Sequence, residues 1–121
     1  MKPRMTPEQA RAEMARHAGV TPETALKRAC TQYLTLQGWL VKPWFQQGMV
    51  PKNVQGMPDK LAIKNGRHVW LEFKAPGKNL SPKQRERKAE LESYGAEVYV
   101  VHAVEDLYVL GDERQLVMGR E

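Results

Sequence analysis

Apolar and polar positions change period several times along the chain, and each change marks an element. Thr6-Pro7-Glu8 opens a helix with proline at its first position, and a run rich in Ala, Glu and Arg carries it to about Ala18, before Gly19. This segment offers little apolar surface. A second start at Thr21-Pro22-Glu23 leads into Leu26, Ala29, Cys30, Tyr33, Leu34 and Leu36, an apolar stripe on a helix that ends at Gly38. Trp39 to Trp44 reads as a short strand halted by Pro43. The following FQQGMVPKNVQGMP has no regular period and is expected to be a mobile loop.

Asn65-Gly66 then supplies a strong hairpin signal, because a type I′ turn needs two positive φ angles. It predicts strands over Asp59 to Lys64 and Arg67 to Lys74. Ser81-Pro82 opens a further helix to about Tyr94, with Gly95 as its stop. Val98 to Val101 is a continuous apolar strand suited to a covered position, and Ala103 to Leu110 is a short helix. The order is helix, helix, strand, hairpin, helix, strand, helix. It implies an α/β domain with a small mixed β-sheet flanked by helices. Residues 1–20 read as an N-terminal helical extension, 21–110 as the core and 111–121 as a tail.

With 121 residues there is room for one core, and 41% hydrophobic and 27% charged residues describe an ordinary globular chain. The formal charge of +5 makes a polyanionic partner plausible without naming it. A single cysteine, Cys30, excludes an intrachain disulfide and a cysteine-rich zinc site. His17, His68 and His102 have no zinc-site spacing, and the six Met read as core filling. No apolar run suggests a membrane span or a secretory leader, so a cytoplasmic protein is expected, with no membrane partner.

The hairpin raises the chemical question. A two-residue turn sets Lys64 opposite Arg67, Leu61 opposite Trp70 and Asp59 opposite Glu72. Lys74 shares the face of Glu72, because the strand period is two. Opposed like charges destabilise a sheet, so something must offset them. Lys74 would do so in a purely structural pair. A divalent cation with oxygen ligands, Mg²⁺ or Mn²⁺, would do so in a catalytic one, with Lys74 orienting or deprotonating an attacking water.

Pro58-Asp59 followed by Glu72-Phe73-Lys74 resembles the PD-(D/E)xK signature of restriction-endonuclease-like nucleases. The surrounding Gly56-Met57-Pro58-Asp59, Leu71-Glu72-Phe73-Lys74-Ala75-Pro76-Gly77, Leu80-Ser81-Pro82-Lys83-Gln84 and Gly95-Ala96-Glu97-Val98 are similar, in residues and order, to the virus-type replication-repair nuclease family, VRR-NUC. The likeness runs from about Glu23 to Leu107. It implies a restriction-endonuclease-like core and a metal-dependent nuclease using Mg²⁺ or Mn²⁺. Asp59 and Glu72 would be metal ligands, the Phe73 carbonyl a further one, and Lys74 the catalytic lysine. Stand-alone members of this size resemble phage proteins that act as homodimers on branched DNA such as four-way junctions, which would place this one in a host cytoplasm.

Glu23 matches the acid at the start of the family's first core helix, a metal role, although Glu in a first turn also suits the helix dipole. Gln84 matches the glutamine after the catalytic strand, and equally completes a capping box with Ser81. Lys78, Lys83, Arg87 and Lys88 lie beside the proposed centre as candidate DNA phosphate contacts. Lys27 and Arg28 are explained as well by an outer helix face. Trp70 is expected in the core. Trp44 and Phe45 are the candidates for a DNA or dimer contact. Gln55 departs from the family, which commonly has a basic residue before the glycine.

Overall fold

The computed structural model describes residues 6–10, 19–44 and 51–111. The start at Thr6 is reciprocally capped: Thr6 Oγ1 accepts from the Gln9 backbone N–H at 3.1 Å and Gln9 Oε1 from the Thr6 N–H at 2.9 Å. The expected continuation to Ala18, Phe45 with the first part of the loop, and nearly all of the tail lie outside the described residues.

Helix α1, Pro22–Leu36, begins where Thr21 accepts a hydrogen bond from the Thr24 N–H at 3.1 Å. Its buried stripe is Leu26, Cys30 and Leu34. Leu36, expected in that stripe, is 78% exposed. It stands two residues beyond Leu34 and therefore about 200° around the helix from it.

Four strands form one sheet in the order β1-β2-β3-β4: β1, Leu40–Pro43; β2, Lys60–Lys64; β3, Arg67–Phe73; and β4, Glu97–Val101. The first three run antiparallel and β4 is parallel to β3. The register of the hairpin is the expected one, with Leu61 opposite Trp70 and Lys64 opposite Arg67. Asn65 and Gly66 have φ of 51° and 81°, as a type I′ turn requires. Val69, Leu71 and Phe73 of β3 are fully buried with Ala62, Val101 and the α1 stripe, so one sheet face and α1 make the core. Trp39 joins that core at 4% exposure. Trp70, expected inside, is only half-buried. It points to the other face with Glu72 and meets Trp44 edge-on, with ring centroids 5.8 Å apart.

Helix α2, Pro82–Ser93, joins β3 to the parallel β4 and has no buried residue. Its half-buried positions are Gln84, Arg87, Lys88 and Leu91, one face of the helix. Three of the four are polar, so hydrogen bonds do much of the docking. Arg87 donates to the carbonyls of Asn53 (2.9 Å) and Gln55 (3.2 Å), tying down the described end of the loop that was expected to be mobile. That end also holds a single 3₁₀ turn, Lys52–Val54. Gly56 lies so close that a Cβ there would sit 2.6 Å from the Lys83 carbonyl oxygen, at a φ of +79°.

β4 is an edge strand yet is well covered, with Val98 and Val101 buried. Arg67 clamps it to β3 through two bonds to Glu97, at 2.8 and 2.6 Å, and Tyr99, on β4 itself, donates its hydroxyl to the same carboxylate at 3.0 Å. The short helix expected over 103–110 divides into a 3₁₀ turn, Val104–Leu107, and α3, Tyr108–Gly111. The buried Leu107 and Leu110 close the core under α1.

Candidate active site

The hairpin ladder stops at Lys60 and Leu71, one pair short of Asp59 and Glu72. Asp59 sits in a bend, and its carboxylate replaces the missing ladder partner: Oδ2 accepts the Phe73 N–H at 2.9 Å. Phe73 thus has its ring in the core and its backbone at the site. Glu72 is 4% exposed, the sole buried charged residue among those described. Burial, then the nearby Asp59 charge, push its carboxyl up to about 8, against the opposing pull of Lys74 and Lys27. The carboxylates and Lys74 therefore meet at the open end of the hairpin, as the sequence predicted.

Gln84 completes the expected capping box and at the same time reaches the buried acid. Its amide oxygen accepts the Ser81 N–H at 2.9 Å and its backbone N–H donates to Ser81 Oγ at 3.2 Å, completing the capping box. The same side chain then has its amide NH₂ free to donate to Glu72 Oε1 at 2.9 Å. One amide thereby connects the start of α2 to the buried acid.

Glu23, in the first turn of α1, is joined to this group by Lys27, whose ammonium lies 3.7 Å from Glu23 and 3.8 Å from Asp59. Among the described residues no group of three His, Cys, Asp or Glu side chains is arranged to hold a metal. The set that does form is two carboxylates supported by backbone and amide donors. This suits Mg²⁺ or Mn²⁺, which bind through one or two carboxylates and keep several waters. A divalent cation there would favour the ionised form of Glu72, which burial disfavours.

The candidate phosphate contacts divide. Lys78 is exposed, and Lys83 is exposed with Glu86 at 3.9 Å. Arg87 is spent on two carbonyls and Glu90, and Lys88 pairs with Glu92 at 3.0 Å. Sequence reasoning did not foresee the Lys27 bridge, although the Glu23–Lys27 spacing of four is a recognised helical ion-pair signal. The structural role of Arg87 had no local signal, because its partners come from a distant loop.

Fold and site together define a small mixed-sheet α/β domain with a carboxylate pair at a hairpin mouth. No family model and no curated protein matches the sequence. A solved structure described as a VRR_NUC domain has the same fold, with a TM-score of 0.60 at 23% identity over 71% of this chain and 92% of that one. The fold implied by the motifs is therefore the fold observed.

Proposed function

We propose that the protein is a VRR-NUC nuclease: a metal-dependent, structure-selective DNA endonuclease that hydrolyses phosphodiester bonds. The observation that carries this reading is the Asp59–Glu72 pair, one acid bonded to the Phe73 backbone and the other buried and held by Gln84, on a fold shared with a VRR_NUC domain.

Asp59, Glu72 and the Phe73 carbonyl would hold Mg²⁺ or Mn²⁺, with Glu23 approaching from α1. When bound, the ion polarises the scissile phosphate and offsets the charge that develops on it. Gln84, donating to Glu72 Oε1, would help hold the acid in place for that role. Lys74, just past the end of β3, orients the attacking water and takes part in its deprotonation. Lys78 and Lys83 are the phosphate contacts that need surrender least. Lys88 joins them by leaving Glu92, an exposed pair worth about 0.5 kcal/mol. Arg87 holds the Asn53–Gly56 loop against α2 beside them.

The substrate in this reading is branched DNA, a four-way junction resolved by a homodimer, as the resemblance to stand-alone VRR-NUC members implies. End-labelled four-way junction, linear duplex, flap and single-stranded DNA test it directly. Paired internal cuts on opposite strands of the junction are expected. Cuts confined to flaps, or stepwise shortening from ends, would assign the same chemistry to a flap nuclease or exonuclease. Binding without cleavage of any substrate would make the protein an inactive DNA-binding module.

A further inference from the structure

From sequence Lys27 reads either as a DNA phosphate contact or as one more charge on the outside of α1. The fold gives it two acids from different elements, Glu23 Oε2 at 3.7 Å in its own helix and Asp59 Oδ1 at 3.8 Å at the hairpin mouth. Asp59 Oδ2 is the oxygen engaged by the Phe73 N–H. Lys27 therefore stands at the oxygen that the backbone leaves open.

Other charges around it make this placement informative. Lys60, on β2, is fixed by donating to Thr31 Oγ1 at 2.8 Å. Its ammonium and that of Lys27 repel each other. Lys27 thus sits near Asp59 despite a neighbouring cation, and the two carboxylates supply the attraction that keeps it there. Both its distances exceed direct hydrogen-bond length, and its side chain is 32% exposed. The contact is electrostatic and loose, with an open way to solvent.

Resting on the metal reading above, we propose that Lys27 is a built-in competitor of the metal: its ammonium and a divalent cation are alternative occupants of the space at Asp59 Oδ1. Both positive charges are served by the same carboxylate oxygen, and a doubly charged ion within several ångströms of an ammonium is repelled by it. Lys27 accordingly sets how tightly the carboxylates take the ion, and binding of the ion turns the lysine out toward solvent. A residue that merely braced Asp59 would act in the opposite direction, because its removal would loosen the ligand.

The test is Mn²⁺ binding without DNA, by calorimetry or by the electron paramagnetic resonance of free Mn²⁺, on wild type, Lys27→Gln, Lys27→Arg and Asp59→Asn. Lys27→Gln should bind Mn²⁺ about tenfold more tightly. Lys27→Arg, which keeps the charge, should stay close to wild type, and Asp59→Asn should lose binding. Melting in EDTA confirms that each variant is folded, and Lys27→Met replaces Lys27→Gln if that variant is not. Wild-type binding with unchanged or weaker affinity in the charge-free variant would overturn the competition and leave the metal site standing. Absence of Mn²⁺ binding in every folded protein would overturn the proposal and the metal reading together.

Discussion

Glu72→Gln offers the sharpest consequence of the buried acid. Raising a carboxyl from its ordinary 4.5 to about 8 corresponds to roughly 3 to 5 kcal/mol against the ionised form, at about 1.4 kcal/mol per pH unit. Glu72 binds a proton more tightly in the folded chain than in the unfolded one. Its contribution to stability is therefore fully present below pH 4.5, declines as pH rises, and is lost above about 8. Glutamine is nearly isosteric and never ionises. It keeps an oxygen that can accept from Gln84. Denaturant unfolding in EDTA at pH 5, 7 and 9 should show the variant close to wild type at the acid end and more stable by roughly 3 to 5 kcal/mol at the alkaline end. Mg²⁺ or Mn²⁺ should recover the wild type at pH 9 and do little for the variant. It must also displace a proton below about pH 8, so metal affinity should climb with pH up to that point. A stability difference that does not change between pH 5 and 9 would refute the reasoning, because it would mean that Glu72 carries the same charge throughout.

Further predictions follow from the supports of the site. Gly56→Ala should cost about 2 kcal/mol or more in denaturant unfolding, since its Cβ would strike the Lys83 carbonyl at 2.6 Å in a left-handed backbone conformation. Arg87→Met should cost about 1 kcal/mol by removing the donor that the exposed Asn53 and Gln55 carbonyls share, and proteolysis should find the loop. Gln84→Glu keeps an acceptor for the Ser81 N–H but replaces the donor to Glu72 with a third acid. It should melt within about 1 kcal/mol of wild type at acid pH, while cleavage near neutrality falls by tenfold or more.

How far the sequence reached depended on how local each signal was. Asn65-Gly66 fixes its own turn, and the turn fixes the pairing of β2 with β3, so the convergence of Asp59, Glu72 and Lys74 was legible. Ser81-Pro82 likewise announces the start of α2. The position of β1 beside β2 and the parallel pairing of β4 depend on long-range packing, which no neighbouring residue encodes. Trp39 and Trp70 show the same limit. Composition cannot tell which tryptophan is covered, and the answer comes from which face α1 packs against. Trp70 was nonetheless partly readable, because the strand period of two puts it on the face of Glu72 and opposite the buried Val69, Leu71 and Phe73. Lys27 and Arg87 were assigned to solvent or to DNA because charged helix residues usually belong there. Their partners, Asp59 and the Asn53 and Gln55 carbonyls, arrive from other elements only after folding.

In the proposed reading Asp59 and Glu72 form a hydrolytic metal site. The measurement that tests it most directly is cleavage of an internally labelled four-way junction by wild type and folded Asp59→Asn, each with Mg²⁺, Mn²⁺ or EDTA. Metal-dependent scission by wild type, abolished by EDTA and reduced at least a hundredfold by Asp59→Asn, is the predicted result. Scission that persists in EDTA, or that Asp59→Asn performs as well as wild type, would contradict the account.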